Sequence, residues 1–248
     1  MLRALLWDVD GTLAETERDG HRVAFNLAFD EFGLPWRWHE AHYGRLLAVT
    51  GGLERLLQDM ASRPDAPADH EALARELHRL KTRHYADIVR RGAITLRRGV
   101  RELIADCAAA GLRQAITTTT SRQNVEELLS ASGLSGFEFM LCADSAPRKK
   151  PDPQVFQMAL ARLALPASAV LAVEDSPAGV AACAAAGVPV VLARSAYFAD
   201  AEAAGALAAG PGLHTTEGWR PAAGPGPRID LPCLLKWLTG SDRDLRGQ

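Results

Sequence analysis

Lysine is scarce in this 248-residue chain: Lys81, Lys149, Lys150 and Lys236 stand against 24 arginines. Charge of one sign is also lacking. With 28 basic and 30 acidic residues the net charge is −2, so no bulk field argues for nucleic acid or an anionic membrane. The four cysteines (Cys107, Cys142, Cys183 and Cys233) are far apart. That spacing excludes a CxxC zinc or redox motif and a dense disulfide framework, and buried free thiols in a reducing compartment are expected. No apolar run approaches the ~20 residues of a membrane span, and the opening MLRALLWDVD is too short for a signal peptide. There is no internal repeat, and neither GxxxxGK[ST] nor GxGxxG occurs, so a P-loop and a dinucleotide fingerprint are unsupported. The expectation is a soluble, cytoplasmic monomer whose partner is a small molecule, with no nucleic acid and no membrane.

What is present is an ordinary globular composition, 48% hydrophobic and 23% charged. At roughly 150 residues per domain, the length amounts to about 1.7 domains. Leu2–Trp7 is a short apolar run that stops at Asp-Val-Asp-Gly, the pattern of a buried strand ending in a turn. From Glu15 to about Arg91 the patterns are helical. Arg22–Phe32 carries apolar residues at helical spacing, Glu71–Arg91 is unbroken by Gly or Pro, and Ser62–Ala68 reads as a loop. Six of the seven histidines fall in this region.

From Gly99 onward strands and helices alternate. Helices are expected at Val100–Ala110, Ser121–Ser132, Pro153–Leu163 and Ala178–Ala186. Strands are expected at Leu112–Thr118, Phe137–Cys142, Ala169–Val173 and Val188–Leu192. This is the signature of βαβ units and a parallel sheet. After Ala193 the signal fades through Ala/Gly-rich sequence and a loop at Ala222–Pro227, until a final helix at Leu231–Leu238. The expected anatomy is an α/β core of residues 1–14 and 92–248, split by a helical unit of residues 15–91.

In open parallel sheets, ligands bind beyond the carboxyl ends of the strands. Polar residues cluster at four such ends: Asp8 and Asp10, followed by Gly11; Thr117–Ser121; Asp144 with Lys149–Lys150; and Glu174–Asp175. Each piece alone has a structural explanation, as a polar turn, a helix cap or a solvated loop. DVDG also opens calcium loops, but Thr12, Leu13 and Asp19 break the EF-hand pattern. His39-Glu-Ala-His42 lacks the spacing of HExxH and reads as a surface helix. Four converging carboxylates repel one another unless a cation joins them, and a hard oxygen-ligated ion, Mg²⁺ above all, fits. That ion invites a phosphate, and the lysine and a hydroxyl would hold the remaining phosphoryl oxygens. Asp8 would then attack phosphorus, forming an aspartyl-phosphate, while Asp10 serves as general acid and base.

Asp8-Val-Asp10-Gly-Thr, the Thr/Ser cluster, Lys150-Pro-Asp-Pro and Glu174-Asp175-Ser-Pro-Ala-Gly resemble the four motifs of the haloacid dehalogenase (HAD) superfamily of phosphatases. The resemblance spans roughly residues 1–195. It implies a HAD-type, Rossmann-like parallel-sheet core with an inserted all-helical cap domain. It assigns Asp8 as nucleophile, Asp10 as acid/base, Thr119 as the phosphate-binding hydroxyl and Lys150, the lysine before proline, as its partner. Mg²⁺ would be held by Asp8, the Asp10 carbonyl, Glu174 and above all Asp175.

TLAETERDGHRVAFN and TGGLERL resemble the CbbY group, related to β-phosphoglucomutase. This narrower resemblance implies removal of the 1-phosphate from xylulose 1,5-bisphosphate, a Rubisco inhibitor, in the Calvin cycle. A bisphosphate needs a second anion site, for which the cap offers Arg55, Lys81 and His21. Thr16 and Glu17 would bind sugar hydroxyls, and Gly51, Gly52, Thr118 and Thr120 complete the expected substrate-binding set. Two departures from the group stand out: Leu53 replaces a basic residue, and Arg97-Arg98-Gly99 replaces Arg-Pro-Gly. A phosphomutase, or a phosphatase for another small sugar phosphate, is the alternative. Asp10 argues against a dehalogenase, and the helical insert and chain length argue against a receiver-like phospho-acceptor.

Overall fold

The computed structural model of the protein describes residues 1–240. The stretch 241–248, which the expected core segment also includes, lies outside the described residues. Strand β1 (Ala4–Trp7) leads, through a π-helical turn at Glu17–His21, into four helices: α1 (Arg22–Phe32), α2 (Glu40–Leu46), α3 (Gly52–Ala61) and α4 (His70–Arg90). The chain then alternates α5 (Val100–Ala109), β2 (Arg113–Thr117), α6 (Arg122–Ser132), β3 (Met140–Leu141), α7 (Gln154–Leu163), β4 (Val170–Glu174), α8 (Pro177–Ala185), β5 (Val190–Ala193), β6 (Ala208–Gly210) and α9 (Leu231–Thr239). The strands form one parallel sheet in the order β3-β2-β1-β4-β5-β6.

Every residue of β1 is buried, because helices cover both faces, and such a strand reads as a continuous apolar run. The faces still divide with period two. Leu5, Trp7, Ile116, Leu171 and Val173 pack with residues of α5, α6 and α9. Ala4, Leu6, Ala115, Val170 and Ala172 pack with residues of α7 and α8. This arrangement sends the ends of β1, β2 and β4 to one edge of the sheet, where the order reverses around β1. All four cysteines are free and buried.

The helical insert has an apolar cluster of its own, with Phe25, Phe29, Trp36, Trp38, Tyr43, Leu56 and Leu77. Ala24, Tyr85 and Val89 belong instead to the cluster of the sheet, so α1 and α4 are anchored on the core. Asp59 is the polar centre of the insert. It is buried, and it accepts hydrogen bonds from Trp38 Nε1 at 2.7 Å, His42 Nε2 at 2.9 Å and Arg63 Nε at 2.8 Å.

Two expectations need correction. The third strand, expected over Phe137–Cys142, narrows to Met140–Leu141, at the sheet edge where one flank has no partner strand. A sixth strand, β6, forms in the Ala/Gly-rich stretch where none is expected. Its residues have poor strand propensity, but context requires them: a Cβ on Gly210 would stand 2.2 Å from the Trp219 ring, which stacks on Trp237 at 4.8 Å.

Asp59→Ala should leave the buried Trp38 N–H unsatisfied and destabilise the protein by about 2–4 kcal/mol. Chemical denaturation would check this, and a loss within experimental error would show that the insert does not depend on Asp59.

Candidate active site

Asp8 follows β1 directly, and its N–H donates to the Val173 carbonyl of β4 at 3.1 Å. Glu174 ends β4 and Asp175 follows it. Asp8, Glu174 and Asp175 are all buried, and each offers a carboxylate oxygen within 4.8 Å of the others. Lys150 is the single cation among them. Its Nζ donates to Asp8 Oδ1 at 2.7 Å, Glu174 Oε1 at 2.6 Å and the Thr117 carbonyl at 2.9 Å. Three acceptors use all three of its N–H groups.

The electrostatics follow from this packing. Burial, then the Asp8 charge, raises the Glu174 carboxyl to about 8, against the pull of Lys150. Asp175 is pushed well above the carboxylate range by burial and by Asp8, with Ser195 and Arg97 acting the other way. Burial also raises Asp8, partly offset by Lys150. For Lys150 burial acts to lower the ammonium, but Asp8 and Glu174 outweigh it and hold it above its ordinary range.

When all three are ionised, the carboxylates leave two negative charges that one ammonium does not compensate, the deficit a divalent cation fills. Glu174 Oε2 is buried without a hydrogen-bond partner, the state of an oxygen available to a ligand. Gly11, at φ +84°, keeps the approach open: a Cβ there would stand 2.0 Å from Asp175 Oδ2. The residues present therefore fit Mg²⁺.

Asp10 points elsewhere. Thr16 donates to its Oδ1 at 2.5 Å, and His21 Nε2 lies 3.0 Å from the same oxygen. Burial would raise this carboxyl, but His21, Thr16 and Lys81 together hold it below the ordinary range. The structure thus places Thr16 and His21, expected at sugar hydroxyls and a distal anion, on the side chain of Asp10. Arg55 is engaged as well. It donates to the Tyr43 hydroxyl at 2.6 Å and pairs with Glu17 at 3.4 Å, while Tyr43 donates to Glu17 at 2.5 Å. Of the three expected cap cations, only Lys81 makes no hydrogen bond or ion pair among the described residues. It is buried, its ammonium lies 5.1 Å from the Phe25 ring centroid and 5.5 Å from that of Tyr85, and burial lowers it to about 8.

Lys81 lines a cleft of about 240 Å³ between insert and core, with Gly51, Gly52 and His78 on one side and Thr119, Thr120 and Lys149 on the other. Thr50 bridges the two sides, donating to the Lys150 carbonyl at 2.5 Å. Thr118 turns inward, its hydroxyl accepting the Thr120 N–H at 3.2 Å, and so lies away from the cleft. Sequence reasoning missed Ser195 and the Arg97 contacts. Ser195 stands just past β5, so the same strand-end logic would have found it. Nothing in the sequence announced that Arg97 would donate to the carbonyls of Gly11, Ala193 and Arg194.

A parallel sheet with these strand-end acids defines a class. A family model for haloacid dehalogenase-like hydrolases matches residues 2–187, and the chain belongs to that family as a phosphatase. Within it, the chain is 46% identical to protein CbbY of Rhodobacter capsulatus, over 79% of this chain and 87% of that protein. It is 40% identical to the plasmid-encoded CbbY of Cupriavidus necator, over 97% and 98% of the two chains. The crystal structure of CbbY from Rhodobacter sphaeroides, solved as an Asp-to-Asn variant with xylulose 1,5-bisphosphate, superposes with a TM-score of 0.79 at 38% identity, covering 83% of this chain and 92% of that one.

The raised Glu174 carboxyl makes stability depend on pH. Its folded value, about 8, exceeds the ordinary 4.5, so its contribution is complete below the unfolded value and is lost as pH rises through about 8. A divalent ion must displace that proton. The melting temperature of the metal-free protein should therefore fall from near pH 6 to near pH 9, and the rise on adding Mg²⁺ should be larger at the higher pH. A Mg²⁺ effect independent of pH would contradict this.

Proposed function

We propose that the protein is a Mg²⁺-dependent phosphatase for a small phosphorylated sugar. The substrate is xylulose 1,5-bisphosphate, and the 1-phosphate is the group removed, in the service of Calvin-cycle carbon fixation. The observation that carries the chemistry is the convergence of Asp8, Glu174, Asp175 and Lys150 at adjacent strand ends, with Asp10 held apart by His21 and Thr16. The choice of sugar is supported by the bisphosphate bound in the Rhodobacter sphaeroides relative.

Asp8, Glu174, Asp175 and the Asp10 carbonyl would hold the ion, which when bound neutralises charge on the transferring phosphoryl group. Lys150 takes Oδ1 of Asp8 and leaves Oδ2 to attack phosphorus. The bond from phosphorus to the ester oxygen breaks, and that oxygen takes a proton from Asp10. Having given up its proton, Asp10 is left ionised, with His21 Nε2 3.0 Å from its Oδ1. In the second half, Asp10 takes a proton from water, whose oxygen attacks the aspartyl-phosphate. Inorganic phosphate leaves and Asp8 is regenerated. The ionised form that His21 and Thr16 stabilise on Asp10 is the form this last step requires. Thr119, half-buried in the cleft, is placed to donate to a phosphoryl oxygen. Lys81, without a hydrogen-bond partner, faces the same cleft as a counter-charge for the second phosphate. The helical insert acts as the cap over this cleft, excluding bulk water.

Asp8→Asn should abolish phosphate release, by at least about 10³-fold in kcat, with the fold retained by circular dichroism. Persistent turnover would remove Asp8 as nucleophile. In a panel of sugar mono- and bisphosphates, kcat/KM should be highest for xylulose 1,5-bisphosphate, with stoichiometric inorganic phosphate. A higher value for a monophosphate would overturn the substrate. Accumulation of an isomeric sugar phosphate without inorganic phosphate would make the enzyme a mutase.

A further inference from the structure

A second cavity, of about 410 Å³, lies beside the two segments that join insert to core, and it shares no lining residue with the cleft under Lys81. Its walls carry Arg97, Arg98, Arg194 and His214, with Glu15 as the only acid. Glu15 is spoken for: Arg97 pairs with it at 3.3 Å and the Ala196 N–H donates to it at 3.2 Å. Arg97 is structural, spending its remaining N–H groups on backbone carbonyls. The other two arginines are not committed. Arg98 makes no hydrogen bond or ion pair among the described residues. Among the described residues Arg194 donates only through Nε, to the Ala201 carbonyl at 2.9 Å, which leaves both terminal nitrogens available.

We infer that this cavity is an anion site for a phosphoryl dianion, free or as a small ester, clasped between Arg98 and Arg194. Two guanidinium forks match the oxygen geometry of a phosphoryl group, and the charge left after Glu15 is compensated is positive. The volume falls within the range of small-ligand pockets. Position gives the site a consequence. Arg98 follows the insert, whereas Arg194 precedes Ser195, which faces Asp175, and Tyr197, whose ring centroid lies 5.8 Å from that of Tyr43 in α2. A dianion held by both arginines ties the return segment to the loop that braces the insert, and so acts as an effector of cap position.

The test uses the full-length protein in EDTA, so that no divalent ion recruits phosphate to the active site. Inorganic phosphate and glycerol 2-phosphate are titrated separately by calorimetry. Saturable binding of one equivalent of either is expected. Arg98→Ala and Arg194→Ala should each weaken it roughly tenfold, and the double variant should abolish it, with melting temperatures in anion-free buffer unchanged. Tighter binding of the ester identifies the effector as a phosphorylated metabolite, and tighter binding of inorganic phosphate identifies it as the reaction product. No binding to the wild type, or equal binding to the double variant, overturns the site. Arg98 is exposed and unpartnered, so Arg98→Ala alone decides the matter should the double variant fail to fold.

Discussion

Three buried carboxylates within reach of one another, with a single ammonium to hold them, form the constraint on which the rest of the molecule depends. Burying one unpaired carboxylate costs several kcal/mol, and here the sheet buries three. Lys150 relieves two of them directly. The backbone relieves crowding by omission: a Cβ on Gly11 would strike Asp175, and one on Gly179 would stand 1.9 Å from Glu174 Oε2. The glycines at these two turns are thus dictated by the acids they face. The cluster is costly in isolation and balanced by a divalent cation, so binding of the proposed metal and stability of the strand ends are linked.

The same constraint gives two aspartates two residues apart different surroundings, which suit the different roles proposed for them. Asp8 shares its pocket with Glu174 and Asp175, and burial, together with the Asp10 charge, raises it against the pull of Lys150. Asp10 turns toward the insert, where Thr16 and His21 lower it. Titratable pairs pushed apart by their surroundings are how one site supplies nucleophile and proton carrier at a single pH. The insert therefore does more than cover the cleft. His21 and Thr16 belong to it, so the carboxyl proposed to handle protons is set by the element proposed to cover substrate. On the proposed mechanism, insert and proton chemistry meet at one oxygen, Asp10 Oδ1.

The parallel sheet, the helical insert and the strand-end acids were legible because each rests on local pattern: apolar runs, 3.6-residue periodicity, and polar residues placed just past a strand. Arg22–Phe32 was bounded correctly since Gly33 at φ +79° stops it sharply. What could not be read depends on contacts distant in sequence. β6 exists because Trp219 packs against Gly210 and stacks on Trp237. His21, Arg55 and Glu17 look like free polar groups in the sequence, and only the folded insert shows that His21 serves Asp10 while Arg55 and Glu17 neutralise each other with Tyr43. A side chain's type announces what it can bind, and its neighbours decide whether that capacity is already spent.

The scarcity of lysine becomes intelligible on these terms. Lys150 meets three acceptors from three strand ends with the three hydrogens of one nitrogen. A planar guanidinium, with its donors spread over three nitrogens, cannot converge on them in that space. Lys149 likewise closes a tight turn, donating to the carbonyls of Ala143 at 2.5 Å and Ala146 at 3.3 Å. Lys81 needs a different property. Burial lowers it to about 8, so the second phosphate proposed for the cleft would favour its charged form, whereas an arginine would carry a full charge into an apolar pocket whether or not an anion were there. In a chain that uses arginine nearly everywhere else, lysine is kept at Lys149 and Lys150 because the charge must be compact, and at Lys81 because it must respond.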